Sequence, residues 1–144
     1  MRTFDVGKNI RLMSRNIKHF TSHLLQEYDL NEGQLEYFLM IYKHHGINQK
    51  ELADIMYVSK ASVTKAIKKL LTIGLIKRIK NEDDHRHYGL FVSEKGTELT
   101  KQFHDYEARL AQVMFKNISQ EEIETLNSII TRMTENSKDL KSTF

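Results

Sequence analysis

The sequence contains no cysteine, no proline and only six glycines in 144 residues. Without cysteine there is no disulfide, no thiolate nucleophile and no thiol redox switch. With no proline and few glycines, few positions oblige the backbone to turn, which favours long helices. No apolar run approaches the roughly 18 residues that a membrane-spanning helix needs. The first stretch, MRTFDVGKNIRLMSRN, carries a charge at every few positions and so lacks the apolar segment of a secretory signal. These absences predict a cytoplasmic protein with no membrane partner. Catalytic signatures are missing too. There is no G-x-S-x-G, no glycine-rich phosphate loop and no H-E-x-x-H, and nothing in the sequence gathers its serines, histidines and aspartates. Neither an enzyme nor a bound cofactor is expected.

What is present suits one domain, or one compact unit with appended helices. Hydrophobic residues make up 40% of the chain, enough for a core, and charged residues 28%. The net charge of +3 is mild, but its distribution is uneven. Between Ile55 and Asn81 stand Lys60, Lys65, Lys68, Lys69, Lys77, Arg78 and Lys80, with no acid among them. A local basic block in a near-neutral chain is the electrostatic footprint of a phosphate-backbone binder.

Apolar spacing places the elements. Ile10, Met13, Ile17, Phe20, Leu24 and Tyr28 recur every three or four residues and predict a long amphipathic helix. Asn31 with Gln34 reads as a capping box before a helix whose inner face is Leu35, Phe38, Leu39 and Tyr42. Asn48 with Glu51 reads as a second, opening a short helix with Leu52, Ile55 and Met56 inward. Tyr57-Val58 is a tight break, and Ser59 caps the next helix, which buries Val63, Ala66, Ile67, Leu70 and Leu71. The period then changes. Leu75–Lys80 and Tyr88–Val92 read as two strands around a polar turn. Ser93 caps a second long helix with the stripe Leu99, Phe103, Tyr106, Leu110, Val113 and Met114. Ser119 with Glu122 opens the last, lined by Ile123, Leu126, Ile129, Ile130, Met133 and Leu140.

The predicted fold class is therefore mainly α with a small β-hairpin wing, a winged helix-turn-helix flanked by long helices. In such a motif the second helix lies in the DNA major groove. Here that helix is Ser59–Thr72. Subtracting its inward positions leaves Ser59, Lys60, Ala61, Ser62, Thr64, Lys65, Lys68 and Lys69 as the outward surface. Short and hydroxylated side chains at its start allow close approach to base edges, and the lysines reach phosphates. The basic residues of the hairpin, Lys77, Arg78 and Lys80, extend the same footprint. Double-stranded DNA is the expected partner. A basic helix seated on an anionic membrane is disfavoured, because this outward face has no large apolar residue to insert.

Two stretches also carry a family resemblance that spans nearly the whole chain. ELADIMYVSKASVTKAIKKLLTIGLIKR and DDHRHYGLFVSEKG are similar to the helix-turn-helix and the wing of the MarR family of transcription regulators. The resemblance implies an obligate homodimer, most often a repressor, in which helical segments 1–30 and 97–144 dimerise and residues 31–96 form the winged DNA-binding part. It also implies that Arg86 enters the minor groove and that Asp84 orients it, with His85 and His87 flanking Arg86 and able to add pH-dependent phosphate contacts. Relatives commonly bind phenolic or aromatic carboxylates, and the candidate effector residues here are Phe20, His23, Tyr37 and Tyr42. Ile10, Met13 and Ile17, with Ile129, Met133 and Leu140, are the candidate dimer contacts.

Two other readings stand beside this one. The first is a dimeric winged-helix module that contacts a protein. The second is a metal-responsive regulator. His19 and His23 have the spacing of a zinc pair on one helix face. Zinc-sensing relatives, however, carry His-x-x-x-His on the helix after the wing, where this chain has His104 followed by Ala108. No metal site is expected.

Overall fold

The computed structural model describes residues 2–83 and 88–142. The predicted wing residues Asp84, His85, Arg86 and His87 lie outside the described residues. The order of elements is α1 (Thr3–Glu27), α2 (Glu32–Lys43), α3 (Gln49–Met56), α4 (Lys60–Thr72), β1 (Ile76–Lys80), β2 (Tyr88–Val92), α5 (Glu94–Met114) and α6 (Gln120–Ser137). A 3₁₀ turn, Lys138–Ser142, follows α6, so Leu140 does not extend the α6 stripe. The chain falls into two compact units, residues 1–106 and 107–144.

In the first unit the core is built largely from the predicted stripes, but on α2 Ile41 is fully buried while Tyr42, expected inward, is 41% exposed. Leu24, Phe38, Leu52, Val63, Ile67, Leu70, Leu75, Leu90 and Leu99 are almost wholly buried. They come from every element of the unit but β1, which adds the buried Ile76, so the short helices are held by shared burial and not by propensity alone. The strands pair antiparallel with Ile76 opposite Val92 and Lys80 opposite Tyr88. A bridge between Ile47 and Leu90 adds the segment before α3 to the hairpin.

Most caps are where the sequence places them. Asn31 Oδ1 accepts the Gln34 N–H at 2.8 Å, and Gln34 Oε1 accepts the Asn31 N–H at 3.0 Å. Ser93 Oγ accepts the Gly96 N–H at 3.1 Å. Asn48 accepts from the Glu51 N–H at 2.8 Å, but among the described residues only the boxes at Asn31 and Ser119 are reciprocal. Ile55, expected inward on α3, is 40% exposed. An eight-residue helix between two turns offers the core a narrow stripe, which Leu52 and Ala53 fill. Tyr57 makes the tight break at φ 55°, the left-handed region that bulky residues seldom occupy.

The second unit contains the end of α5, the turn at Asn117 and α6. Ser119 and Glu122 close its capping box, with bonds of 2.8 and 3.1 Å. No residue of α6 is buried. Its apolar side chains Leu126, Ile129 and Ile130 are instead 43%, 41% and 38% exposed. Among the described residues, no helix is long and apolar enough to cross a membrane.

Candidate nucleic-acid interface

The left-handed residue Tyr57 ends α3, and Ser59 caps the start of α4 two positions later. Val63, Ala66, Ile67 and Leu70 anchor the inner face of α4. Anchoring one face fixes the other, so Ser59, Lys60, Ala61, Ser62, Thr64, Lys65 and Lys68 are all exposed. The hydroxyls are organised locally. Ser59 Oγ accepts the Ser62 N–H at 3.1 Å and lies 2.9 Å from Ser62 Oγ. Thr64 Oγ1 donates to the Lys60 carbonyl at 2.9 Å, with Gln49 Oε1 at 3.4 Å. The start of α4 also presents unpaired backbone N–H groups and the positive end of the helix dipole, with no acid in its first turn.

Lys69 is set apart from the other predicted lysines. It is half-buried, and its Nζ donates to Asp29 Oδ2 at 2.7 Å. Asp29 occupies the α1–α2 turn at φ 55°. The hydrogen bond from Lys69, with its charge, holds the Asp29 carboxyl below the usual carboxylate range. Lys69 thus ties α4 to the end of α1. Asp29 is a residue that sequence reading missed. It stands in a polar turn 40 positions from Lys69, and no local signal joins the two.

A pair with a depressed carboxyl contributes stability above the unfolded pKa. That contribution is lost as pH falls through the folded value. Asp29→Asn is therefore expected to flatten stability against pH in the acid range below about pH 4. It is also expected to free Lys69, steepening the salt dependence of DNA binding by up to about 0.9 in log–log slope per chain. Acid titration followed by circular dichroism and binding isotherms at several salt concentrations check the two effects.

The hairpin distributes its basic residues over both faces. Residues directly opposite in an antiparallel pair share a face, so Arg78 and Lys80 lie on the side of Leu90 and Tyr88, and Lys77 on that of Phe91. Arg78 sits over the Tyr88 ring, 5.6 Å from its centroid. A cleft of about 270 Å³ between the start of α3 and the hairpin is lined by Asn48, Glu51, Lys80, Tyr88 and Phe91, among others.

The candidate effector residues are each engaged separately. Phe20 packs on Tyr106 with centroids 5.1 Å apart, and Tyr42 meets His104 edge-on at 6.0 Å. His23 is exposed and edge-on to His19 at 6.2 Å. Tyr37 packs against the core. Periodicity identifies which face of a helix is apolar, but not which ring of another helix it will meet. Among the described residues no group of three or more histidine, aspartate and glutamate side chains is gathered as a metal site would require.

A capped second helix with an exposed basic and hydroxylated face, followed by a basic hairpin, defines a winged helix-turn-helix DNA-binding protein. Comparison with known proteins agrees. Residues 30–88 match the model described as the MarR family. An uncharacterised HTH-type transcriptional regulator of Bacillus subtilis, YybA, is 27% identical over 132 residues, covering 92% of this chain and 88% of its own. Among solved structures, a MarR protein from Peptoclostridium difficile superposes with a TM-score of 0.79 at 27% identity, over 96% of this chain and 92% of that one. The S. aureus MepR–DNA complex shares the fold, with a TM-score of 0.67 at 22% identity over 88% and 95% of the two chains. Residues 30–88 thus carry the MarR-family match, and over most of its length the chain is similar to HTH-type transcriptional regulators.

Proposed function

We propose that the protein is a repressor that binds a pseudo-palindromic operator as a homodimer, each chain placing α4 in a major groove. The observation that carries this reading is the α4 surface, where small, hydroxyl and lysine side chains are exposed together over a fully buried inner face. Two such helices bound to successive major grooves stand about 34 Å apart, which is what makes a two-fold site. Residues 31–96 serve as the DNA-binding part, and segments 1–30 and 97–144 as the dimerisation region. In support, Ile10 and Met13 on α1 are exposed, and so are Leu126, Ile129 and Ile130 on α6. A shallow groove of about 380 Å³ beside α6 is lined by Phe115, Ile123, Leu126 and Ile130. Apolar stripes of this kind are buried when a second chain covers them. A solved protein of the same fold, MepR, has been captured with DNA.

Selection of bound duplexes from a random pool, with binding measured at two salt concentrations, tests the reading. A two-fold motif and a steep loss of affinity with salt are expected. Salt-insensitive binding with no selected motif would favour a module that contacts a protein. In the wing, Arg86 reads the minor groove and Asp84 orients it, so Arg86→Ala is expected to weaken operator binding about tenfold or more with the fold intact. Electrophoretic mobility shift beside circular dichroism measures both. Release by a small aromatic or phenolic effector near Phe20, His23, Tyr37 and Tyr42 would act by shifting the spacing or mobility of the two recognition helices.

A further inference from the structure

The side chains of α4 differ in what they can offer a base, and their hydrogen bonds within the chain decide how. A hydroxyl has one proton and two acceptor sites. Thr64 directs that proton inward, to the Lys60 carbonyl at 2.9 Å, with Gln49 Oε1 next nearest at 3.4 Å. With that proton engaged, the exposed side chain has its γ-methyl and an oxygen lone pair to offer a partner. Such a lone pair has nothing to gain from guanine O6 or N7 or from thymine O4, which are acceptors themselves. Ala61 lies three positions earlier, on the same face of the helix, and it too is exposed and presents only a methyl. The helix start behaves differently. Ser59 Oγ accepts the Ser62 N–H and shares one hydrogen bond with Ser62 Oγ, so one hydroxyl proton of the pair is left to donate outward. Lys60 and Lys65 are donors on either side. Donor groups thus flank a pair of methyl groups on a single exposed face.

Of the four bases, only thymine presents a methyl group in the major groove. We propose that Ala61 and Thr64 form a methyl facet that selects thymine through its 5-methyl group, at one position in each half-site. The inference rests on α4 being the helix that enters the major groove, and the test separates the two.

The probe is the duplex that the full chain selects from a random pool, with its thymines replaced one at a time by deoxyuridine, which lacks only the methyl. One thymine in each half-site is expected to show a three- to fivefold loss, about the worth of one buried methyl. Thr64→Ser keeps the hydroxyl and removes the γ-methyl, and it should shrink that difference. Thr64→Val keeps a methyl and removes the hydroxyl, and it should preserve it. The inference is overturned, with operator binding intact, if no thymine differs from deoxyuridine. It is equally overturned if Thr64→Ser leaves the difference at full size, or if Thr64→Val abolishes it. A chain that selects no duplex at all overturns both the methyl facet and the operator reading beneath it.

Discussion

Gly96→Ala is expected to destabilise the protein by roughly 3 kcal/mol or more, beyond the usual cost of overpacking a core. A Cβ at this position would stand 2.2 Å from the Leu75 carbonyl oxygen, 2.7 Å from Val92 Cγ1 and 3.1 Å from Phe38 Cε2. The first of these neighbours is backbone and cannot rotate aside. The Leu75 carbonyl also accepts the Ser93 N–H at 3.0 Å, while Ser93 Oγ accepts the Gly96 N–H at 3.1 Å. Both sides of the clash are therefore pinned. Relief requires the start of α5 to lift from the start of β1, which opens Phe38, Leu75 and Leu99, three residues with no exposure at all. Against a total stability of about 5–15 kcal/mol for an ordinary domain, such a loss is large. A fall in Tm of at least about 6 °C is expected by calorimetry. An unchanged Tm would contradict the α5–β1 packing.

The second large effect concerns DNA. Replacing Lys60, Lys65 and Lys68 together by glutamine is expected to lower affinity for any duplex by tenfold or more, random sequence included. Each lysine that neutralises a phosphate contributes about 0.9 to the slope of log affinity against log salt, so the triple variant should flatten the slope by up to about 2.7 per chain. All three are exposed on the outer face of α4, so stability should hardly change. Lys69→Gln is the contrast. Its ammonium is already bonded to Asp29, and its removal should alter the salt slope much less than the removal of any of the three. Fluorescence anisotropy over a salt series measures both variants. Equal effects of Lys68→Gln and Lys69→Gln would show that the Asp29 bond does not hold Lys69 away from DNA.

The sequence by itself determined the order of the elements, the caps at Asn31, Asn48, Ser59, Ser93 and Ser119, and the outward face of α4. These depend on interactions across three or four residues, where one side chain's reach and the helix repeat settle the outcome. The helix-turn-helix stretch around Ser59 and the two strands after it were likewise legible, because a helix-turn-helix is a run of local signals in fixed order. What only the tertiary structure decided involves partners far apart in the chain. It paired Lys69 with Asp29, divided Lys77 from Arg78 and Lys80 by strand register and turned Ile55 outward. It paired Phe20 with Tyr106 and Tyr42 with His104, and it brought Gly96 against Leu75. Periodicity says that a face is apolar or polar. Which atoms meet across that face depends on how separate elements pack, because close packing joins residues by position in space and not by distance along the chain.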